Sequence, residues 1–132
     1  MTPTEVVHRV IELFNAGELE QAIKYVAADA IDHAGLPGAR PGRADWLRRW
    51  QLTREEFPDL EVIVEESVEH GEMVCNRYTM RGTHTREAMG LSPTGRRFEA
   101  MILDMIRISD GQLREHWALG DEAALREQLT GA

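Results

Sequence analysis

The feature that most constrains this chain is a change of period at Pro58. Before it, apolar residues recur at helical spacing. After it they alternate, in runs separated by tight-turn residues. Residues 3–14 place Val6, Val7, Val10, Ile11 and Phe14 on one stripe, with Thr2 as a cap, Pro3 at the first helical position and Asn15-Ala-Gly17 as the stop. A short second helix fits residues 19–26 and a third fits 45–57, carrying Trp46, Leu47, Trp50 and Phe57. Between them, residues 30–33 suit a short strand that runs into the loop Gly35-Leu-Pro-Gly-Ala-Arg-Pro-Gly42. Downstream, strands are expected at 60–70, 73–84, 98–108 and 113–119, with a bend or bulge at Gly82, and a last helix at 122–129.

Helices followed by consecutive antiparallel strands is an α+β order. Long bent strands over a helical face make a cone: a strongly curved antiparallel sheet wrapped over N-terminal helices and enclosing a pocket. The 132 residues, 1–132, are expected to form one such domain. A net charge of −8 argues against nucleic acid and against anionic membranes as partners. Cys75 is the single cysteine, so no intrachain disulfide forms. Residues 1–20 have neither a signal-peptide pattern nor an apolar span, because Glu5, His8, Arg9 and Glu12 interrupt them; the expected location is cytoplasmic.

Asp121 is the first candidate for chemistry. On a strand continued from Leu113, the residues Glu115, Trp117, Leu119 and Asp121 share a parity, which puts Trp117 and Asp121 on the cavity side. A carboxyl beside indole is desolvated and tuned toward proton transfer. The competing reading is that Asp121 caps the last helix. His84 and His33 can each polarise a carbonyl or move a proton, or else serve as structural histidines. His116, of opposite parity to Trp117, is expected to point away from the cavity.

Asp104 interrupts an apolar strand and shares parity with Ile102 and Ile106, so it must be partnered if buried. Facing Asp121 and a cation from Arg77, Arg81 or Arg107, it would suit a hydrolase that activates water for epoxide opening. Trp46, Trp50 and Tyr78 offer a stacking surface for a planar ligand or plain core packing, and Asn76 lies on the face of Tyr78. The five histidines and one cysteine lack metal-ligand spacing, so no metal or organic cofactor is expected.

Three segments carry a family resemblance. Gly82-Thr-His-Thr with Gly90-Leu-Ser-Pro-Thr-Gly-Arg96, then Ile108-Ser-Asp-Gly-Gln-Leu-Arg-Glu-His-Trp117, then Asp121, Leu125 and Gln128-Leu129 resemble the SnoaL-like polyketide cyclases. Asp32-His33 and Phe57-Pro-Asp-Leu60 fit the same pattern, so the resemblance runs from about Ile31 to Leu129. It implies a cone similar to nuclear transport factor 2, a homodimer that covers the open sheet face, and cofactor-free aldol ring closure with Asp121 as general acid/base. The same family contains ester cyclases. One departure is that Met101-Ile-Leu-Asp-Met-Ile-Arg107 has no histidine where relatives place pocket groups. An epoxide hydrolase or isomerase, and a non-catalytic carrier of small apolar or aromatic carbonyl compounds, are the alternative readings of the pocket.

Overall fold

The computed structural model describes residues 1–131. Helix α1 spans Pro3–Asn15 and opens with a reciprocal cap: Thr2 Oγ1 accepts the Glu5 N–H, and the Thr2 N–H donates to Glu5 Oε1 at 2.8 Å. Its stripe Val6, Val7, Val10, Leu13 and Phe14 is fully buried, worth about 1.5–3 kcal/mol per side chain. The Asn15 amide then imitates a strand. Its Nδ2 donates to the Val62 carbonyl at 2.8 Å and its Oδ1 accepts the Val62 N–H at 2.9 Å, fixing the helix end to the sheet.

A single turn, α2 (Leu19–Ala22), passes through a 3₁₀ turn at Ile23–Tyr25 into β1 (Val26–Asp32). The strand therefore begins four residues earlier than its expected start, because Val26, Ala27 and Ala30 are needed in the core. Helix α3 (Arg43–Glu56) follows the Gly/Pro loop. Gly42 starts it at φ +116°, and a Cβ there would meet the Ala28 carbonyl at 3.1 Å, so the position demands glycine. Strands β2 (Glu61–His70), β3 (Met73–Thr83), β4 (Arg97–Ser109) and β5 (Gln112–Gly120) precede α4 (Glu122–Thr130).

The sheet order is β1-β5-β4-β3-β2, antiparallel throughout except that β1 lies parallel to β5. Gly82 keeps regular register with Phe98, so the bulge expected there is absent. Gly82 serves a close approach instead: a Cβ would sit 3.1 Å from both the Phe98 ring and Asp59 Oδ1. The irregularities fall in β2 between Val64 and Glu66, in the β1–β5 pairing, and in the β4–β5 pairing, where Arg107 pairs with Glu115 but Ile108 with Leu113. Arg114 is thus an extra residue. Bulges bend the bulged strand and steepen its twist, and the curved sheet closes over α1 and α3. The core lies in two clusters between them, one around Val6, Val26, Trp46, Val74 and Ile106, the other around Phe14, Phe57, Phe98 and Leu129.

Candidate active site

Arg114 decides which residues face inward. Leu113 is buried on the inner face, but the extra residue after it reverses the alternation. His116 and Ala118 consequently line the cavity, and Glu115, Trp117 and Leu119 lie on the outer face. Parity counted from Leu113 gives the opposite result, and this corrects the expected outward placement of His116 and the inward placement of Trp117.

The cavity sits between α1, α3 and the concave face, with a volume of about 170 Å³. That is close to the roughly 150 Å³ at which an apolar cavity takes up benzene, so it holds about one ring of a ligand whose remainder extends through its open side. Its walls are apolar and aromatic: Val10, Phe14, Trp46, Trp50 and Ile106. Trp46 and Trp50 meet edge to face at 6.5 Å, and Trp46 also lies 5.9 Å from the His116 ring.

One end is polar. His116 Nδ1 lies 2.8 Å from Asp32 Oδ1, and its Nε2 lies 3.1 Å from Asp104 Oδ2. With a carboxylate against each nitrogen, the ring satisfies both only as a doubly protonated imidazolium. Burial alone would lower its pKa, but the hydrogen bonds and charges of Asp104 and Asp32 outweigh burial and push it up to about 9. Burial also acts to raise the pKa of Asp32. The hydrogen bond and charge of His116, the Arg49 guanidinium at 3.4 Å and the Ala34 N–H win, and Asp32 is held below the usual carboxylate range.

Asp104 is buried, at 8% exposure. Its second oxygen accepts from Asn76 Nδ2 at 2.8 Å, and Asn76 Oδ1 accepts the Ser67 hydroxyl at 2.6 Å. The Ser67 oxygen faces His8 Nε2 at 3.0 Å, so a hydrogen-bonded row runs from the cavity to the surface of α1. Tyr78 lies on the same inner face, diagonal to Asp104 across β3 and β4.

Asp121 stands elsewhere. β5 ends at Gly120, and the exposed Asp121 carboxylate caps α4 by accepting the Ala124 N–H at 2.9 Å. His33 is half exposed at the outer rim, 2.6 Å from Glu115 and stacked on Trp117 with centroids 5.1 Å apart. His84 is fully buried beyond the end of β3, where Nδ1 meets the Thr94 hydroxyl at 3.0 Å; it ties down the loop before β4 and does not line the cavity. Asp104 and Asp121 therefore do not converge, and Arg77, Arg81 and Arg107 lie on the outer face, Arg81 and Arg107 beside Glu61 and Glu115. The cations at the cavity are His116 and Arg49.

Asp32 and Arg49 were not singled out for chemistry by sequence reasoning. Asp32 had a signal, a carboxylate ending a strand just before a Gly/Pro loop. Arg49 had none, because an arginine on a polar helix face reads as solvated.

The fold is thus a small α+β cone with a histidine–carboxylate cluster at one end of an apolar cavity. The chain belongs to the SnoaL-like polyketide cyclase family, whose profile matches residues 4–129. Among its relatives, the aklanonic acid methyl ester cyclase DnrD of Streptomyces peucetius is 28% identical over 97% of this chain and 90% of its own. The nogalonic acid methyl ester cyclase of Streptomyces nogalater is 29% identical over 81% of each chain. The crystal structure of IdmH from Streptomyces antibioticus superposes with a TM-score of 0.87 at 38% identity, covering 98% of this chain and 99% of that one.

Proposed function

We propose that this chain closes a ring in a carbonyl-rich, polyketide-like molecule by general acid/base catalysis, with Asp104 as base and His116 as acid and no cofactor in the cycle. The observation that carries the reading is His116 set between two carboxylates at one end of an apolar cavity. Asp104 removes the proton from a carbon next to a carbonyl, and the electron pair moves onto the carbonyl oxygen to give an enolate. The enolate carbon forms the new C–C bond to a second carbonyl carbon of the same molecule, whose oxygen becomes an alkoxide. Once Asp104 is protonated, the Nε2–H of His116 no longer faces a carboxylate, and the alkoxide takes its proton. Asp104 then returns its proton to Nε2 across 3.1 Å, restoring the resting state. Asp32 and Arg49 keep the ring oriented, and the apolar walls hold the two reacting carbons close.

The test uses nogalonic acid methyl ester, the compound class that a relative's name prints, with wild type, Asp104→Asn, His116→Gln and Asp121→Asn. Turnover falls about 100-fold or more in the first two variants, with binding retained, and stays near wild type in the third. Loss in Asp121→Asn alone would return the chemistry to the helix cap. Binding without turnover in every protein, across other polyketone esters as well, would make the chain a carrier.

The outer face favours a homodimer. Val68, Met101, Leu103, Met105 and Leu119 are exposed there beside Trp117, around a shallow depression of about 430 Å³. Both signs of charge border it, Arg77 and Arg107 against Glu66 and Glu115, which suits a two-fold copy of the same face.

A further inference from the structure

Every buried polar side chain in the acid–base cluster but one has a hydrogen bond of good geometry. Asn76, Asp104, His116 and Asp32 are each hydrogen-bonded. Tyr78, 4% exposed and lining the same cavity, has a hydroxyl with no hydrogen-bond partner of acceptable geometry among the described residues. An unpaired buried hydroxyl destabilises a fold, and phenylalanine would fill the same volume without that cost. The hydroxyl is nevertheless held beside Asp104. Burial, then the Asp104 charge, then a poorly aligned hydrogen-bonding approach to the Asp104 carboxylate keep it a neutral donor, its ionisation displaced well above the ordinary range.

The location has a chemical meaning. When a carbonyl compound enolises, the carbon that loses its proton and the oxygen that gains the charge are two bonds apart. A base for the one and a donor for the other must therefore be neighbours. Tyr78 and Asp104 are diagonal neighbours on the inner face of adjacent strands, whereas both nitrogens of His116 are already committed to carboxylates.

We propose that the Tyr78 hydroxyl is a catalytic residue that donates a hydrogen bond to the enolising carbonyl oxygen of the substrate. The substrate class is thereby narrowed to a ketone or β-dicarbonyl whose oxygen points at β3 and whose acidic carbon points at β4. Tyr78 transfers no proton in the step; it stabilises the charge that builds on the oxygen while Asp104 holds the abstracted proton. This rests on the reading of Asp104 as the base.

The probe is benzoylacetone, a one-ring β-diketone whose keto, enol and enolate forms have distinct ultraviolet spectra. Binding is read by tryptophan fluorescence and tautomer by absorbance, in wild type, Tyr78→Phe, Asp104→Asn and the double variant. Wild type binds the probe and shifts it toward the enol or enolate. Tyr78→Phe binds it about tenfold or more weakly, loses the shift, and melts at or above the wild-type temperature. The Tyr78→Phe loss of affinity persists in the Asp104→Asn background. Full turnover of nogalonic acid methyl ester by Asp104→Asn, with the benzoylacetone affinity loss still present, would defeat the base assignment and leave the donor standing. Three results overturn the proposal: no spectral shift with wild type, unchanged affinity and spectrum in Tyr78→Phe, or a lower melting temperature with unchanged affinity, which makes the tyrosine structural.

Discussion

His116 should make this fold lose stability as the solution becomes mildly alkaline. In the folded chain its pKa is pushed up to about 9, against 6.5 for an ordinary histidine. Its stabilisation is thus fully present below pH 6.5 and is lost as pH rises through about 9. Inside that window the folded state holds one proton more than the unfolded chain. The unfolding free energy then falls by about 1.4 kcal/mol per pH unit, or about 3 kcal/mol across the window. Asp32 acts in the opposite sense. Held below its usual 3.8, it stabilises above that value and the contribution fades as pH falls through its lower folded pKa. Maximal benefit from the pair lies between about pH 4 and 6.5. Urea unfolding followed by tryptophan fluorescence at pH 6, 7, 8 and 9 measures the slope. An NMR titration of the His116 ring identifies its source, and Asp32→Asn should lower the midpoint by removing one of the two carboxylates. A wild-type midpoint near 6.5, or no decline in unfolding free energy over the window, would refute the reasoning.

Asp121→Ala removes a helix cap and nothing else: a cost of about 1 kcal/mol in urea unfolding with turnover unchanged. Leu103→Glu places a charge in the middle of the exposed apolar face and should halve the mass seen by light scattering, leaving the cavity chemistry intact.

The cone was legible because its signals are local. The stripe on α1, the Gly/Pro loop and the Ser109-Asp-Gly111 turn each need only a few neighbouring residues, and each lies where it was expected. Asp104, Tyr78, Trp46 and Trp50 line the cavity, since strand and helix spacing sufficed to place them on an inner face. The acid–base cluster was not legible, for a non-local reason. Asp32 meets His116 through a parallel pairing between strands 84 residues apart, and the face of His116 depends on one unpaired residue that alternation cannot reveal. Counting from Leu113 across Arg114 selected Asp121 and Trp117 and discarded the histidine. Gly82 misled in a milder way: glycine in a strand signals either a bulge or a close approach, and only the Phe98 ring distinguishes them.

The extra residue in β5 also poses a choice between two alignments of that strand. If Arg114 entered the ladder, everything after it would turn over, bringing Trp117 and Leu119 inside and sending His116 out. Judged by hydrophobicity alone, the slipped alignment would gain, since Leu119 is now 82% exposed. What opposes it is polar: slippage would strand Asp32 and Asp104 without their shared cation and part Asp32 from His116 across the β1 pairing. Asp104 and His116, assigned to proton transfer, and Asp32, which orients the ring, therefore also act as the latch that sets the strand's alignment. The latch is shared among the three, so the single substitutions above leave the ladder in place, while a chain lacking Arg114 would have no second ladder to adopt.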